Sequence, residues 1–277
     1  MSGVLRVVAT PIGNLEDLSF RALRVLKEAQ TILAEDTRRT RRLCAHYDVA
    51  TPLRRFDAHA SDAQVAELVE ELAAGASLAL VTDAGTPLVS DPGARLVSAA
   101  VAADVRVEPI PGPSAPLAAL CASGLRVGAF RFVGFLPRSG GKRAEALAAL
   151  VAAPEATVFF EAPHRVPATL GELAALAPDR PAAVARELTK LYEEVARGTL
   201  GELAERFAAP AKGEITVVVE GAPEIDEVVD EEAALRQARV LLGEGQRTKA
   251  VARQLADAHG LSVRDAYQLV LRVAGER

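Results

Sequence analysis

Leu80-Val81-Thr82-Asp83-Ala84-Gly85-Thr86-Pro87 is an apolar, strand-like run that stops at an aspartate and turns on Gly-Thr-Pro. In a parallel sheet, the carboxyl end of a strand followed by a tight polar turn is where small ligands are held. The chain repeats the design twice. Val7-Val8-Ala9-Thr10-Pro11-Ile12-Gly13-Asn14 has it near the amino terminus, and Val107-Glu108-Pro109-Ile110-Pro111-Gly112-Pro113-Ser114-Ala115 has it further on. Three strand-end loops rich in glycine, proline and small hydroxyls predict one shared pocket.

Around these loops, strand-like runs at 5–9, 32–34, 53–56, 78–82 and 105–108 alternate with helix-like segments, the pattern of a parallel sheet with helices on its faces. Ser61 with Gln64 predicts a capping box, and Asp91-Pro92 a cap ahead of a first-turn proline. The pattern pauses at Phe135-Leu136-Pro137-Arg138-Ser139-Gly140-Gly141, which reads as a hinge or loop between two α/β halves. The second half is predicted as a helix over 143–152, a strand over 157–161, a helix after Pro163-His164-Arg165, and strands over 182–187 and 193–197. A helix capped by Thr199 with Glu202 follows, then a strand over 214–220 whose near-continuous valine and isoleucine predicts burial on both faces. Acidic residues from Glu224 to Glu232, next to Pro223, predict a solvated linker. Three short helices over 234–242, 249–258 and 263–273 are compatible with a helix-turn-helix, and equally with a plain helical cap on the second half. The expected division is therefore 1–115, 116–222 and 233–277.

With 277 residues, half of them hydrophobic, the chain can bury a sizeable core. Two cysteines without paired spacing predict a reducing cytoplasm, and the lack of a leader-like or membrane-length apolar run predicts a soluble, unprocessed protein. A net charge of −5 argues against binding nucleic acid through bulk electrostatics. Local charge differs: Arg38, Arg39, Arg41 and Arg42 cluster, Arg54 and Arg55 follow, and Arg138, Lys142 and Arg143 flank a Ser-Gly-Gly turn. From Ala233 onward eight basic residues face four acidic ones. Each cluster also reads as a solvated helix face. Neither a G-x-G-x-x-G after the first strand nor a P-loop, H-E-x-x-H or G-x-S-x-G motif occurs, and four scattered histidines predict no metal site. Polar groups concentrate instead at strand ends, at Asp36, Asp83, Ser114, Glu161 and the run Arg186-Glu187-Leu188-Thr189-Lys190.

Taken in order, Thr10-Pro11-Ile12-Gly13-Asn14-Leu15, Ala34-Glu35-Asp36-Thr37-Arg38, Thr82 to Pro87 with Ser90-Asp91-Pro92-Gly93, and Pro111-Gly112-Pro113-Ser114-Ala115 form the first part of a longer series. Gly134-Phe135-Leu136-Pro137, Phe160-Glu161-Ala162-Pro163-His164-Arg165, Ala185 to Lys190 and Lys212-Gly213-Glu214 complete it. The series resembles the tetrapyrrole methylase superfamily, in its branch that acts on ribosomal RNA. The resemblance runs through residues 4–220, and the helical tail is similar too. It implies an S-adenosylmethionine-dependent enzyme of two α/β domains, with the cofactor in the cleft between them and a small helical domain behind. The implied reaction is methylation of the ribose 2′-hydroxyl of a cytidine in the decoding region of small-subunit rRNA, within the 30S subunit, by a homodimer.

By that resemblance, Pro11, Asp83, Gly85, Thr86, Ser114 and Ala115 line the first-half side of the cofactor site, and Phe160, Glu161, Arg186 and Glu187 close over it. The superfamily more often has Gly-Asp-Pro in the Asp83 loop, so the contacts there are expected to differ. Arg38, Arg39, His164 and Arg165 are assigned to the RNA. Asp36, Glu161, Glu187 and Lys190 are open candidates for the base that takes the hydroxyl proton. The rival readings are a methyltransferase acting on a tetrapyrrole precursor or a modified protein side chain, and a non-catalytic ribosome-binding protein.

Overall fold

A computed structural model describes residues 3–88, 93–223 and 231–275. The chain divides into two compact units, Met1–Ala222 and Pro223–Arg277. The first unit opens with β1 (Val4–Val8), α1 (Phe20–Glu28), β2 (Thr31–Ala34), α2 (Thr37–His46), β3 (Leu53–Arg55), α3 (Asp62–Ala73), β4 (Ser77–Leu80), α4 (Ala94–Ala102) and β5 (Arg106–Ile110). These strands form one parallel sheet in the order β3-β2-β4-β1-β5.

Alternation along each strand sends side chains to opposite faces, and both faces are apolar. Val8, Ile32, Ala34 and Ala79 pack with Ala22, Val25, Leu26 and Cys44 of α1 and α2. Leu5, Leu33, Leu78 and Leu80 pack with Leu68, Leu72 and Leu96 of α3 and α4. Pro109 sits in β5, an edge strand, where a missing N–H costs no ladder bond.

α5 (Ala115–Ser123) follows β5 yet lies against the second sheet, beside β8 (Pro181–Arg186), β9 (Glu194–Thr199) and β10 (Ile215–Val219). The remaining elements are β6 (Phe130–Phe135), α6 (Gly141–Ala152), β7 (Ala156–Glu161), α7 (Val166–Leu176) and α8 (Leu200–Arg206). Sheet order is β6-β7-β10-β8-β9, with β6 parallel to β7 and the other pairs antiparallel. All five residues of the central strand β10 are buried, as its valine-rich sequence predicts. One face of this sheet carries α6, α7 and α8. The other packs Val158, Ala183, Ala185 and Val218 against Ala119 of α5, Leu188 and Ile12 of the first half.

The expected hinge at residues 135–141 is corrected by these pairings. Phe130 to Phe135 already pair with β7, so the pause is the β6–α6 loop inside the second half. Sequence reading mistook it because β6 is bulged and only partly buried, which blurs its alternation. Local caps differ in detail. Thr199 and Glu202 make both bonds of a capping box. Ser61 accepts the Gln64 N–H, but the Gln64 side chain donates to the Arg55 carbonyl, so the reciprocal bond is replaced. The Asp91-Pro92 cap lies outside the described residues, as does most of the acidic linker, residues 224–230. α4 itself starts after Gly93, at φ +122°.

The second unit holds α9 (Glu231–Gly243), α10 (Thr248–His259) and α11 (Val263–Gly275), closed around Ala238, Val251, Leu255, Ala266 and Val270. Among the described residues no helix is long and apolar enough to cross a membrane, and no cluster of His, Cys, Asp or Glu could hold a metal ion.

Candidate active site

The three strand-end turns do meet. Thr10 and Gly85 exchange backbone bonds of 2.9 and 3.0 Å, the Thr10 hydroxyl donates to the Thr82 carbonyl at 3.2 Å, and the Thr86 hydroxyl donates to the Pro113 carbonyl at 3.0 Å. Gly85 holds φ +84°, and a Cβ there would lie 3.3 Å from Ile12 Cγ2, so glycine is what lets the turn close.

The turns wall a cavity of about 410 Å³ whose other side comes from the second sheet. Gly85, Thr86, Ser114, Ala115 and Phe160 line it, as the sequence predicts, and Glu161 borders it with its side chain turned away. Pro163, assigned from sequence to the substrate, lines it too, as do Ile12, Ala84, Pro116, Phe135, Ala162, Gly213, Glu214, Ile215 and Thr216, which sequence reasoning did not assign. A signal existed for Thr216, the single hydroxyl within the Ile-Val strand β10. Thr216 pairs with Phe160 and Ala185, so all three share the face that looks toward the first half. Phe160 is boxed edge-on by Phe132 at 5.0 Å and leans on Phe135 at 5.5 Å.

Register turns Glu161 the other way. It pairs with Ile215, which pairs with Arg186, and this row lies on the face that carries α7. The Glu161 side chain is fully buried. It accepts from the Thr169 hydroxyl at 2.6 Å and the Ala162 N–H at 2.8 Å, and faces Arg165 Nε at 3.2 Å. Arg165 also donates to the Leu136 and Pro137 carbonyls, both at 3.0 Å. Arg143, read from sequence as part of a surface cluster, is 7% exposed and donates to Glu172, Thr169 and the Pro137 carbonyl. These two arginines pin the β6–α6 loop to α7. Arg186 reaches away from the cavity to Glu194 at 2.7 Å, and its Nε is buried without a hydrogen-bond partner among the described residues. His164 is exposed at the start of α7.

Glu187 and Lys190 stand at the cavity's lip. Lys190 Nζ donates to Glu187 at 2.8 Å and to Glu214 at 3.1 Å, and Glu187 also accepts the Glu214 N–H at 2.9 Å. Bonding to Lys190 and to the Glu214 N–H holds the Glu187 carboxyl below its ordinary pKa. The paired carboxylates outweigh partial burial and raise that of Lys190, so the amine stays an ammonium. The loop is strained to reach this place: Glu187 and Thr189 hold φ of +51° and +65°. The Thr189 hydroxyl accepts the Asn14 N–H at 3.1 Å, a direct tie between the halves.

Asp83, Asp36 and Arg38 do not line this cavity. They line a second, charged one of about 640 Å³, together with Glu35, Thr37, Arg55, Asp57, Ala58 and His59. Asp36 caps α2 through the Arg38 N–H at 2.9 Å and grips the Arg38 guanidinium at 2.7 and 3.0 Å. Those bonds push its carboxyl far below the ordinary range. Arg39 lies 3.6 Å from Asp83. Pro11 lines neither cavity; its neighbour Ile12 lines the first.

The profile of the Tetrapyrrole (Corrin/Porphyrin) Methylases matches residues 4–204. The chain is 44% identical to the ribosomal RNA small subunit methyltransferase I of Micromonospora olivasterospora, over 100% of this chain and 88% of that protein. It is 42% identical to the protein of the same name from Halalkalibacterium halodurans, over 96% and 94%. Among solved structures, the methyltransferase CobJ superposes with a TM-score of 0.60 at 22% identity, over 80% of this chain and 95% of that one. Uroporphyrin-III C-methyl transferase from Thermus thermophilus, complexed with S-adenyl homocysteine, gives a TM-score of 0.56 at 22% identity, over 78% and 96%. At those identities the structural likeness speaks to the fold alone.

Proposed function

The chain belongs to the tetrapyrrole methylase family, among the small-subunit ribosomal RNA methyltransferase I proteins, and on that premise we propose that it methylates the ribose 2′-hydroxyl of a cytidine in the decoding region of that RNA. It is an S-adenosylmethionine-dependent methyltransferase. The observation that carries the reading is the pair of adjoining cavities at one sheet edge, one walled by apolar side chains and backbone, the other charged and flanked by arginines.

The first cavity fits the methyl donor. Its volume falls within the range of roughly 300–1,000 Å³ usual for small-molecule sites. Gly85 bares main chain along one wall, and Phe135, Phe160 and Pro116 give the apolar surface a nucleoside needs. When bound, the donor supplies an electrophilic methyl group on a sulfonium. The chain's part is to hold both reactants in line and exclude water, which can provide on the order of 7–11 kcal/mol of the barrier. Gly85, Thr86, Ser114 and Ala115 hold the donor from the first half, while Phe160 and Thr216 close from the second. Arg38, with a side chain 83% exposed, and Arg39 meet phosphates. Arg165, held by Glu161 and two carbonyls, acts on the RNA only through the loop it pins.

We place the reaction in the cytoplasm on the assembled 30S subunit, with the enzyme as a homodimer of three-domain chains divided at 115/116 and before 233. Both cysteines are free thiols, in keeping with a reducing compartment. Incubation with purified small subunits and labelled S-adenosylmethionine, followed by mass mapping of the RNA, should find one added methyl on a cytidine ribose in the decoding region. Label appearing only on a tetrapyrrole or a protein would overturn the assignment.

A further inference from the structure

The carboxyl ends of β3, β2 and β4 open on the charged cavity, and those of β4, β1 and β5 on the apolar-walled one. The exit turn of β4 is therefore the partition: Ala84 and Gly85 face one space and Asp83 faces the other. In-line transfer requires the attacking oxygen to stand roughly 3–3.5 Å from the methyl carbon, so the group that receives its proton must lie at that partition.

We propose that Asp83 is this group, its carboxylate accepting the hydrogen bond and then the proton of the acceptor 2′-hydroxyl of a nucleotide seated in the charged cavity. The proposal rests on the RNA-methyltransferase reading above, and it moves Asp83 from the cofactor set that the sequence suggests to the acceptor side. Glu35, in the same cavity, accepts the Thr82 hydroxyl at 3.5 Å, and four other rivals are committed elsewhere. Asp36 has both oxygens on Arg38. Asp57 accepts the His59 N–H at 2.8 Å with one oxygen and the Arg55 guanidinium at 2.6 and 2.7 Å with the other. Glu161 is sealed on the α7 face, and Glu187 is tied to Lys190 and the Glu214 N–H. Asp83 differs. Oδ1 is anchored by the Asp36 N–H at 2.9 Å, which fixes the plane of the carboxylate. Among the described residues Oδ2 meets only the Arg39 guanidinium, at 3.6 Å, too long for a hydrogen bond.

The step balances. The ribose oxygen forms its bond to the methyl carbon as the carbon–sulfur bond breaks, and the electron pair stays on sulfur to leave a neutral thioether. The hydroxyl proton passes to Asp83 Oδ2 and from there to water. A carboxylate is a weak base toward a free hydroxyl, but the oxygen becomes strongly acidic as its new bond forms, so a late transfer to Asp83 is downhill. Arg39, with a side chain 60% exposed, stays beside the carboxylate and balances its charge before the proton arrives.

The test is Asp83→Asn, which keeps an oxygen for the Asp36 N–H and removes the base. Transfer to small subunits should fall at least about 100-fold, the scale of a lost general base. Affinity for S-adenosylhomocysteine, read by calorimetry, should stay within twofold of the unaltered enzyme. Asp83→Glu, the companion if the amide variant fails to fold, keeps the charge but displaces it, and should lose at least tenfold. Either variant transferring within threefold of the unaltered rate overturns the proposal. So does a tenfold loss of S-adenosylhomocysteine affinity in a folded variant, which would return Asp83 to the donor site. An unaltered enzyme that binds S-adenosylhomocysteine yet methylates no RNA overturns the functional reading instead, and this role with it.

Discussion

Glu161 shows how one residue's address in a strand decides its chemistry. Phe160 and Glu161 are neighbours in sequence and both read as cavity residues, but a β-strand sends them to opposite faces. The sequence makes the motif visible; the register that separates its two side chains comes from β10, more than fifty residues later. Glu161→Gln should lower stability by about 3 kcal/mol in denaturant titration, because it leaves the part-buried Arg165 without its counter-charge. The pH profile of methyl transfer should not change, and a lost acidic limb would refute this placement. The Lys190 ion pairs give a pH-dependent counterpart. Glu187, with its pKa depressed from 4.5, contributes stability that is present above that value and lost as pH falls through the folded one. Lys190, raised above 10.5, contributes stability that is lost only as pH rises through its folded pKa. Lys190→Met should therefore cost about 1 kcal/mol near neutrality, the scale of a part-exposed pair. The difference in melting temperature from the unaltered protein should shrink between pH 7 and pH 3.

At the scale of elements, the β8–β9 connection joins the two halves. Its strained Thr189 bonds the loop after β1, and Gly13 in that loop lies so close that a Cβ would meet the Leu188 carbonyl at 2.8 Å and Lys190 Cγ at 2.5 Å. Gly13→Ala should cost on the order of 1–3 kcal/mol by overpacking. It should also weaken S-adenosylhomocysteine binding in calorimetry, because the two walls of the donor cavity are spread. Unchanged affinity would mean that this tie does not set the cleft. Sequence reading placed most of the strands, because buried parallel strands write themselves as apolar runs. Its boundary at 115/116 gives α5 to the second half, but the helix's own pattern does not say so. The segment from Ala115 to Ser123 is apolar on every side, so no stripe announces that it faces β8 and β10 rather than the sheet it leaves.

For the whole molecule, charge is local where it counts: the chain carries a net −5, yet Lys249 and Arg253 lie four apart on the exposed face of α10, and Arg247 and Arg264 are exposed as well. Binding to small ribosomal subunits should weaken steeply with salt. Arg38→Ala should flatten the slope of log affinity against log salt by about 0.7 to 0.9 for each phosphate that is no longer neutralised. Removing residues 223–277 should flatten it further while S-adenosylhomocysteine affinity stays within twofold, since the cavity belongs wholly to the first unit. An unchanged slope in both variants would take these cations out of the interface. The sequence displayed the clusters but not their division of labour, since Arg38 stays exposed at a cavity mouth while Arg143 is buried to brace a loop. The short turn after β4 ties these measurements together. Asp83 lines one chamber and Ala84 and Gly85 the other, so occupants of the two lean on adjacent residues of one turn. Thermodynamic reciprocity then requires that whatever factor the spent donor applies to acceptor affinity, the acceptor applies to the donor.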